Sequence, residues 1–302
     1  MHIPNGFLTD PVCTASTLAA TAALGAGFAR LRHLDRSCSS GLMAVTGAGI
    51  FAAQMVNFPI DHGTSAHVLG AALAAIALGP WCGMLTMALV LSVQCLLFGD
   101  GGSSTLGANI LNMAVAGTLV ASVLYTLSTR YLGGAKGKLL GAALAAFGSV
   151  LASASLCALE LAASGTYSLA DVFSAMLSVH AAIGVSEALF SVAIVGAVLA
   201  GNKNRALSTR RVMIGGLALA AAVAGLIAPL ASSAPDGLQR VAEDLNFANL
   251  ATSSYAIAPD YAVPGIAWSL LAAALAGIAG VLVVFVMTYT ISRTTTAKVR
   301  KH

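Results

Sequence analysis

Charge is scarce in this sequence. Lys, Arg, Asp and Glu make up 9% of its 302 residues, where soluble globular chains carry about 25%. That shortage excludes a soluble enzyme of this size more firmly than the 58% of hydrophobic residues does. Aromatic residues are also few, at 6%, and no basic patch interleaves with them, so nucleic acid is not indicated. The five cysteines (Cys13, Cys38, Cys82, Cys95, Cys157) form no C-x-x-C pair. A thiolate cage is therefore not expected, and the five read as small residues packed in lipid. There is no H-E-x-x-H and no G-x-S-G with a helical His, which argues against a membrane protease. Gly133–Lys138 imitates a phosphate loop, but Leu132 stands where its first glycine belongs and Leu139 follows the lysine. A motor that burns ATP would have to sit on another subunit. A signal peptide is missing as well, because Met1-His2-Ile3-Pro4 has no basic flank and no Lys or Arg precedes Arg30. The chain is expected to begin with its own Met1.

Long apolar runs dominate what remains, and mean hydropathy is +0.88. A spanning helix needs about 20 mostly apolar residues. Candidate stretches are Pro11–Phe28, Gly41–Phe58, Ser65–Leu78, Trp81–Phe98, Thr105–Leu127, Leu139–Leu161, Val172–Leu199, Val212–Ala231 and Val263–Ile291. The third is short and ends at Gly79-Pro80, so it reads as a half-span or a strongly buried helix. The expected fold is an all-α polytopic bundle of about nine spans. With the N-terminus outside and the C-terminus inside, 14 of the 15 Lys and Arg fall in inner segments and only Arg240 lies outside. The outer segments collect Asp10, Asp61, Asp100, Glu160, Asp171, Asp236, Glu243, Asp244 and Asp260. A basic loop, Gly201–Arg211, divides the chain into 1–205, with seven spans, and 206–302, with two spans joined by an outer loop over 232–262. In that loop Leu238–Leu245 reads as a short amphipathic helix.

The histidines carry the chemistry. His2, His62, His67 and His180 all fall toward the outer side. A free amine at Met1, the amide nitrogen of His2 and its imidazole can close fused five- and six-membered chelate rings in one plane. A second imidazole can fill the fourth position. Planar nitrogen sites point to Ni(II) or Cu(II), with Co(II) less favoured. His67, at the outer edge of the third stretch, is the candidate fourth ligand; an interfacial imidazole bonded to a carbonyl is an equal reading from the residues alone. His62 reads as a solvated loop residue. Asn109 and Asn112 share one helix face, as do His180 and Glu187. Glu187 is read as the only carboxylate well inside a span, and such a group needs a partner. These four either orient metal ligands or clasp helices together.

The run Met1-His2-Ile3-Pro4-Asn5-Gly6-Phe7-Leu8 resembles the start of a known family. So do Gly63-Thr64-Ser65-Ala66-His67-Val68-Leu69-Gly70, Leu78-Gly79-Pro80-Trp81, Gln94, Leu97-Phe98-Gly99-Asp100-Gly101-Gly102, Leu106-Gly107-Ala108-Asn109-Ile110, Asn112-Met113-Ala114, His180 and Gly184-x-x-Glu187-Ala188. The family is CbiM/NikM, the metal-binding S components of energy-coupling factor (ECF) transporters for cobalt and nickel. Ala234-Pro235-Asp236-Gly237-Leu238 and Pro259-Asp260-Tyr261 resemble its small two-span companion, the PDGLE domain, with Gln239 where Glu is usual. The resemblance implies a fused inner-membrane subunit. It captures Ni2+ or Co2+ through the amine of Met1, the amide nitrogen and imidazole of His2, and His67. It implies partners too: a T-type transmembrane subunit and cytoplasmic ATPases. A stand-alone secondary transporter that relays protons through Glu187 and His180 is the alternative, and uptake without the ATPases would favour it.

Overall fold

The computed structural model describes residues 1–33, 39–60, 63–201 and 208–299. His62, Cys38 and most of the basic seam at 201–211 lie outside the described residues. The elements follow the apolar stretches closely. Helix α1 spans Asp10–His33 and α2 spans Ser40–Gln54. Two two-residue strands follow, β1 (Phe58–Pro59) and β2 (Ser65–Ala66), then α3 (Ala71–Val93), α4 (Leu106–Asn109), α5 (Gly117–Leu132), α6 (Gly134–Ala163), α7 (Leu169–Gly201), α8 (Thr209–Ala222), α9 (Gly237–Asp244) and α10 (Ser269–Val299). π-Helical turns extend α3 to Phe98, join α4 to α5 and extend α8 to Ile227. Among the described residues seven helical stretches, of 22 to 33 residues, are long and apolar enough to cross a membrane; α2 is a shorter apolar helix of 15. The chain is an all-α, multi-pass membrane bundle.

The third apolar stretch does not form a helix along its whole length. It begins with β2 antiparallel to β1, runs extended through His67, and turns helical at Ala71. Gly79 then takes φ 77 and ψ 173, which interrupts α3 ahead of Pro80. A Cβ on Gly83 would lie 2.9 Å from the Ala74 carbonyl oxygen. A straight helix keeps residues nine apart more than about 13 Å away, so the eight residues before the kink fold back on those after it. Ala71, Ala72, Ala74 and Ala75 are accordingly buried. A short, buried half-helix is what this small-residue stretch can form, and it leaves room at its head for the extended segment carrying His67.

Helices α5, α6 and α7 lie side by side, and α8 and α10 pack on α2. Small residues set how close the helices come. A Cβ on Gly107 of α4 would fall 2.4 Å from the Thr17 Cα of α1. Cys13, Cys95 and Cys157 are buried and unbonded, as packing residues should be. Cys82 departs from that expectation because it is disulfide-bonded.

The long loop after α8 is stitched to the first hundred residues by backbone hydrogen bonds. Ser232 N donates to Asn57 O (2.8 Å), Ser65 N to Pro235 O (2.8 Å), Thr252 N to Asn5 O (2.9 Å) and Ala258 N to Leu97 O (2.9 Å). The expected amphipathic helix is α9, which buries Leu238, Val241 and Ala242. Asp236 caps it. The Asp236 carboxylate accepts from Gln239 N (2.9 Å) while Gln239 Oε1 accepts from Asp236 N (3.0 Å). An amide oxygen serves this capping box as well as a carboxylate would, so Gln239 in place of Glu leaves the turn intact.

Gly107→Ala should lower the thermal unfolding midpoint in detergent by several degrees. The new methyl meets backbone that no rotamer change can move, an overpacking cost of about 1–3 kcal/mol. An unchanged midpoint would mean that α1 and α4 are free to part.

Candidate metal centre

The first residues do not trail in solvent; they thread into the bundle. Met1 and Ile3 are buried. Ile3 is held on both sides of its peptide: its N–H donates to Asn109 Oδ1 (2.8 Å), and its carbonyl accepts from Asn109 Nδ2 (3.1 Å), Thr105 Oγ1 (2.6 Å) and Gly102 N (2.9 Å). Asn109 ends α4 where the π-helical turn begins, so a rigid element fixes the residue next to His2.

The Met1 amine lies 2.7 Å from Asp236 Oδ2 and 3.3 Å from His67 Nε2. The rings of His2 and His67 stack, with centroids 5.5 Å apart. Two nitrogens about 2.0 Å from one metal and at right angles stand about 2.8 Å apart, close to the spacing of the amine and His67. His67 Nδ1 donates to Val68 O (3.2 Å), which leaves the Nε2 lone pair facing the amine. His2 Nδ1 is 3.1 Å from Asp100 Oδ1, and Tyr261 OH donates to Asp100 Oδ2 (2.6 Å). The Met1 amine and the His2 imidazole of the anticipated chelate therefore each face a carboxylate.

The extended His67 segment is gripped from two helices. Glu187 of α7 accepts from the backbone N–H groups of both Leu69 and Gly70. Gln54 Nε2 of α2 donates to Leu69 O (2.6 Å). Burial, with the nearby amine and His2, pulls the His67 imidazole down to about 4. Burial also lowers His2, against the opposing pull of Asp100. Both rings are thus neutral near pH 7, the form that binds metal. Burial alone would raise Asp236, but the amine and His67 hold its carboxyl well below the usual range. Burial and the neighbouring Asp100 push the Tyr261 phenol up.

His180 sits close by. Its Nδ1 donates to Met176 O (2.8 Å), and Nε2 is buried without a protein partner. It lines a cavity of about 20 Å³ together with Met1, His67, Asp236 and Gly237. Asn112 serves another place. It bonds Glu160 (2.6 Å), which also accepts from Ser16 Oγ (2.7 Å). Asn109 and Asn112, three residues apart, therefore have unrelated partners. Glu160, near the end of α6, is a second carboxylate buried in the bundle beside Glu187. It is 8% exposed within α6, because the helix runs on to Ala163 and seats it against α1. Among the described residues no three His, Cys, Asp or Glu side chains gather as a metal cage.

Residues 2–205 match the family described as the cobalt uptake substrate-specific transmembrane region, CbiM, and residues 210–297 match the PDGLE domain. The chain belongs to the CbiM family. It is 32% identical to a putative fused nickel transport protein, NikMN, of Archaeoglobus fulgidus, over 97% of this chain and 98% of that one. It is 41% identical to the fused nickel transport protein NikMN of Rhodobacter capsulatus, over 53% of this chain and 46% of that one. A crystal structure of a transition metal transporter superposes with a TM-score of 0.61 at 29% identity, covering 71% of this chain and 99% of that one. A truncated transition metal transporter gives 0.59 at 32%, covering 67% and 99%. These CbiM relatives are named as transport proteins, not enzymes.

Reading this CbiM sequence alone missed Asp236, Asp100 and Tyr261 around the histidines. Asp236 had one local sign, the Pro235-Asp236-Gly237 turn. Asp260 and Tyr261 had a similar one in Pro259-Asp260, but not their backbone: both adopt positive φ (52° and 56°), a conformation that costs about 1–3 kcal/mol and is held only by its surroundings.

Glu187→Gln should replace one of the two accepting oxygens by an NH2 that faces a backbone N–H, and destabilise the fold by about 1–3 kcal/mol. Amide hydrogen exchange at Leu69 and Gly70 should rise, and unchanged exchange would deny Glu187 its hold on the His67 segment. Because the folded His67 lies below the ordinary imidazole value, its stabilising contribution is present above about pH 6.5 and fades toward pH 4. The unfolding midpoint should fall across that window, and His67→Gln should flatten the fall.

Proposed function

We propose that this chain is the substrate-capturing membrane subunit of an ATP-driven importer of ECF type for nickel or cobalt. The ion is its substrate. The ligands are the amine of Met1, the amide nitrogen and imidazole of His2, and the imidazole of His67. Asn109, Asn112, His180 and Glu187 are candidates for orienting them. The observation that carries this reading is the approach of the Met1 amine to His67 Nε2 at 3.3 Å, with the His2 ring stacked alongside. Asn109 contributes by holding Ile3, and Glu187 by holding the strand end that bears His67. Asn112 acts at one remove, through Glu160 and α1. That the relatives are named nickel or cobalt transport proteins agrees with the substrate.

Loading exchanges protons for metal. The amine gives up its proton to become a donor, keeping Asp236 as its neighbour. The His2 amide loses its proton, and Nδ1 would turn from Asp100 to the ion as its own proton shifts to Nε2 of the same ring, a change of tautomer that releases none. With both imidazoles neutral beforehand, about two protons leave per ion bound. The balance of charge at the site is then unchanged, since a dication replaces two protons beside the same Asp236. Nitrogen donors favour nickel over cobalt modestly.

The chain is read as two parts, a capture domain over 1–205 and a companion over 206–302, with the N-terminus outside and the C-terminus inside. A T-type transmembrane subunit and cytoplasmic ATPases complete the importer.

Metal analysis of the full chain with a free Met1 amine should find one nickel per chain, and one extra residue before Met1 should abolish it. His67→Ala should weaken binding at least about tenfold, the loss of roughly 1.4 kcal/mol or more, with unfolding still cooperative. Nickel retained by the extended chain would sink this reading.

A further inference from the structure

A second cavity, of about 250 Å³, opens beside the histidines and is separate from the small one next to His180. One wall comes from the first hundred residues: His2, Gln54, Asn57 and Asp100. The facing wall comes from the C-terminal loop: Asp236, Asp260 and Tyr261. Three of these are carboxylates, and no lining residue is Lys or Arg.

Carboxylates alone make no site, but this cavity also has buried polar atoms that lack partners. Gln54 is only 4% exposed. Its Nε2 is spent on Leu69 O, while its Oε1 has no hydrogen bond. Asn57 Oδ1 is likewise unpartnered, as is Nε2 of His2, whose side chain is 5% exposed. Burying such atoms unpaired costs about 1–3 kcal/mol each. They are acceptors in a polar chamber, suited to the outward-pointing protons of ordered water. Six waters fill about 180 Å³ at their liquid volume, so a dication with its complete first water shell fits.

We propose that this cavity is a staging site for a hydrated divalent cation, built from oxygen acceptors and placed one step before the nitrogen donors. The inference rests on the capture reading and adds to it a second, weaker site with different chemistry. Asp260, exposed at the mouth, draws the ion in. Gln54, Asn57 and Asp100 hold its water shell. The ion sheds water as it moves to the Met1 amine, His2 and His67 at the chamber's inner end. Hard oxygen donors hold hydrated ions loosely, and nitrogen donors hold the stripped ion tightly. The gradient in donor type gives the transfer its direction. Neither wall makes the chamber alone, which gives the C-terminal loop a part in loading.

The test uses the full chain in detergent, with one residue added before Met1 so that the amine chelate cannot form. Mn2+ is the probe, because it prefers oxygen donors and its free form is counted by electron paramagnetic resonance. One weak, saturable Mn2+ site per chain is expected. Asp260→Asn and Gln54→Leu should each weaken it roughly fivefold or more, a change of about 1 kcal/mol. Asn tolerates the left-handed backbone at this exposed position. In the chain with a free Met1, Asp260→Asn should slow nickel loading by a similar factor in stopped flow while the final nickel content stays at one. No saturable Mn2+ binding, or binding indifferent to both substitutions, overturns the proposal. So does loss of final nickel content in Asp260→Asn, because Asp260 would then belong to the capture site itself. Nickel held by the extended chain sinks the capture reading alone, since the Mn2+ count is scored independently.

Discussion

An ammonium group inside an apolar helical bundle needs a counter-charge, and here the Met1 amine finds Asp236 at 2.7 Å. Removing one partner from such a buried pair costs about 3–5 kcal/mol. The first residue and the 236th are therefore mutually dependent, and much else follows from their pairing. The amine is held where it meets His67. Asp236 is at the same time the N-cap of α9, so the orientation of that helix and the place of the amine are set by one carboxylate, one oxygen for each task.

Around that pair, the backbone rather than the side chains is what the bundle grips. Asn109 brackets the peptide of Ile3, and Glu187 binds consecutive N–H groups beyond His67. Both are polar groups buried in spanning helices, where an unpaired polar atom is costly. Their obligation to find partners turns them into clamps on the two extended segments that bear the histidines.

The loop from Ser232 to Ala262 gains its order from the same logic. Its hydrogen bonds to Asn57, Ser65, Asn5 and Leu97 satisfy backbone groups at four separate points of the first hundred residues. Tyr261 stacks on Phe98 with centroids 4.7 Å apart and donates to Asp100. These contacts offset the left-handed backbone at Asp260 and Tyr261 and close one side of the chamber leading to His2.

Much of this was legible in the chain itself. Scarce charge and long apolar runs determine a multi-pass helical protein, because only closed hydrogen bonding within helices is tolerated in lipid at this composition. Gly79-Pro80 announced the break in α3, since proline cannot continue the ladder and glycine can take positive φ. Met1-His2 and His67 stood out by chemistry, and the resemblance to CbiM agreed. What only the tertiary structure decided is who answers each buried polar group. Asn109 and Asn112 look equivalent three residues apart, yet one holds Ile3 and the other Glu160. That Glu160 is buried was not readable, because burial depends on how far α6 runs and on what α1 sets against it. Asp236 lies 235 residues from the amine that it neutralises. No local periodicity records such a partner, because the pairing follows from desolvation in the folded bundle.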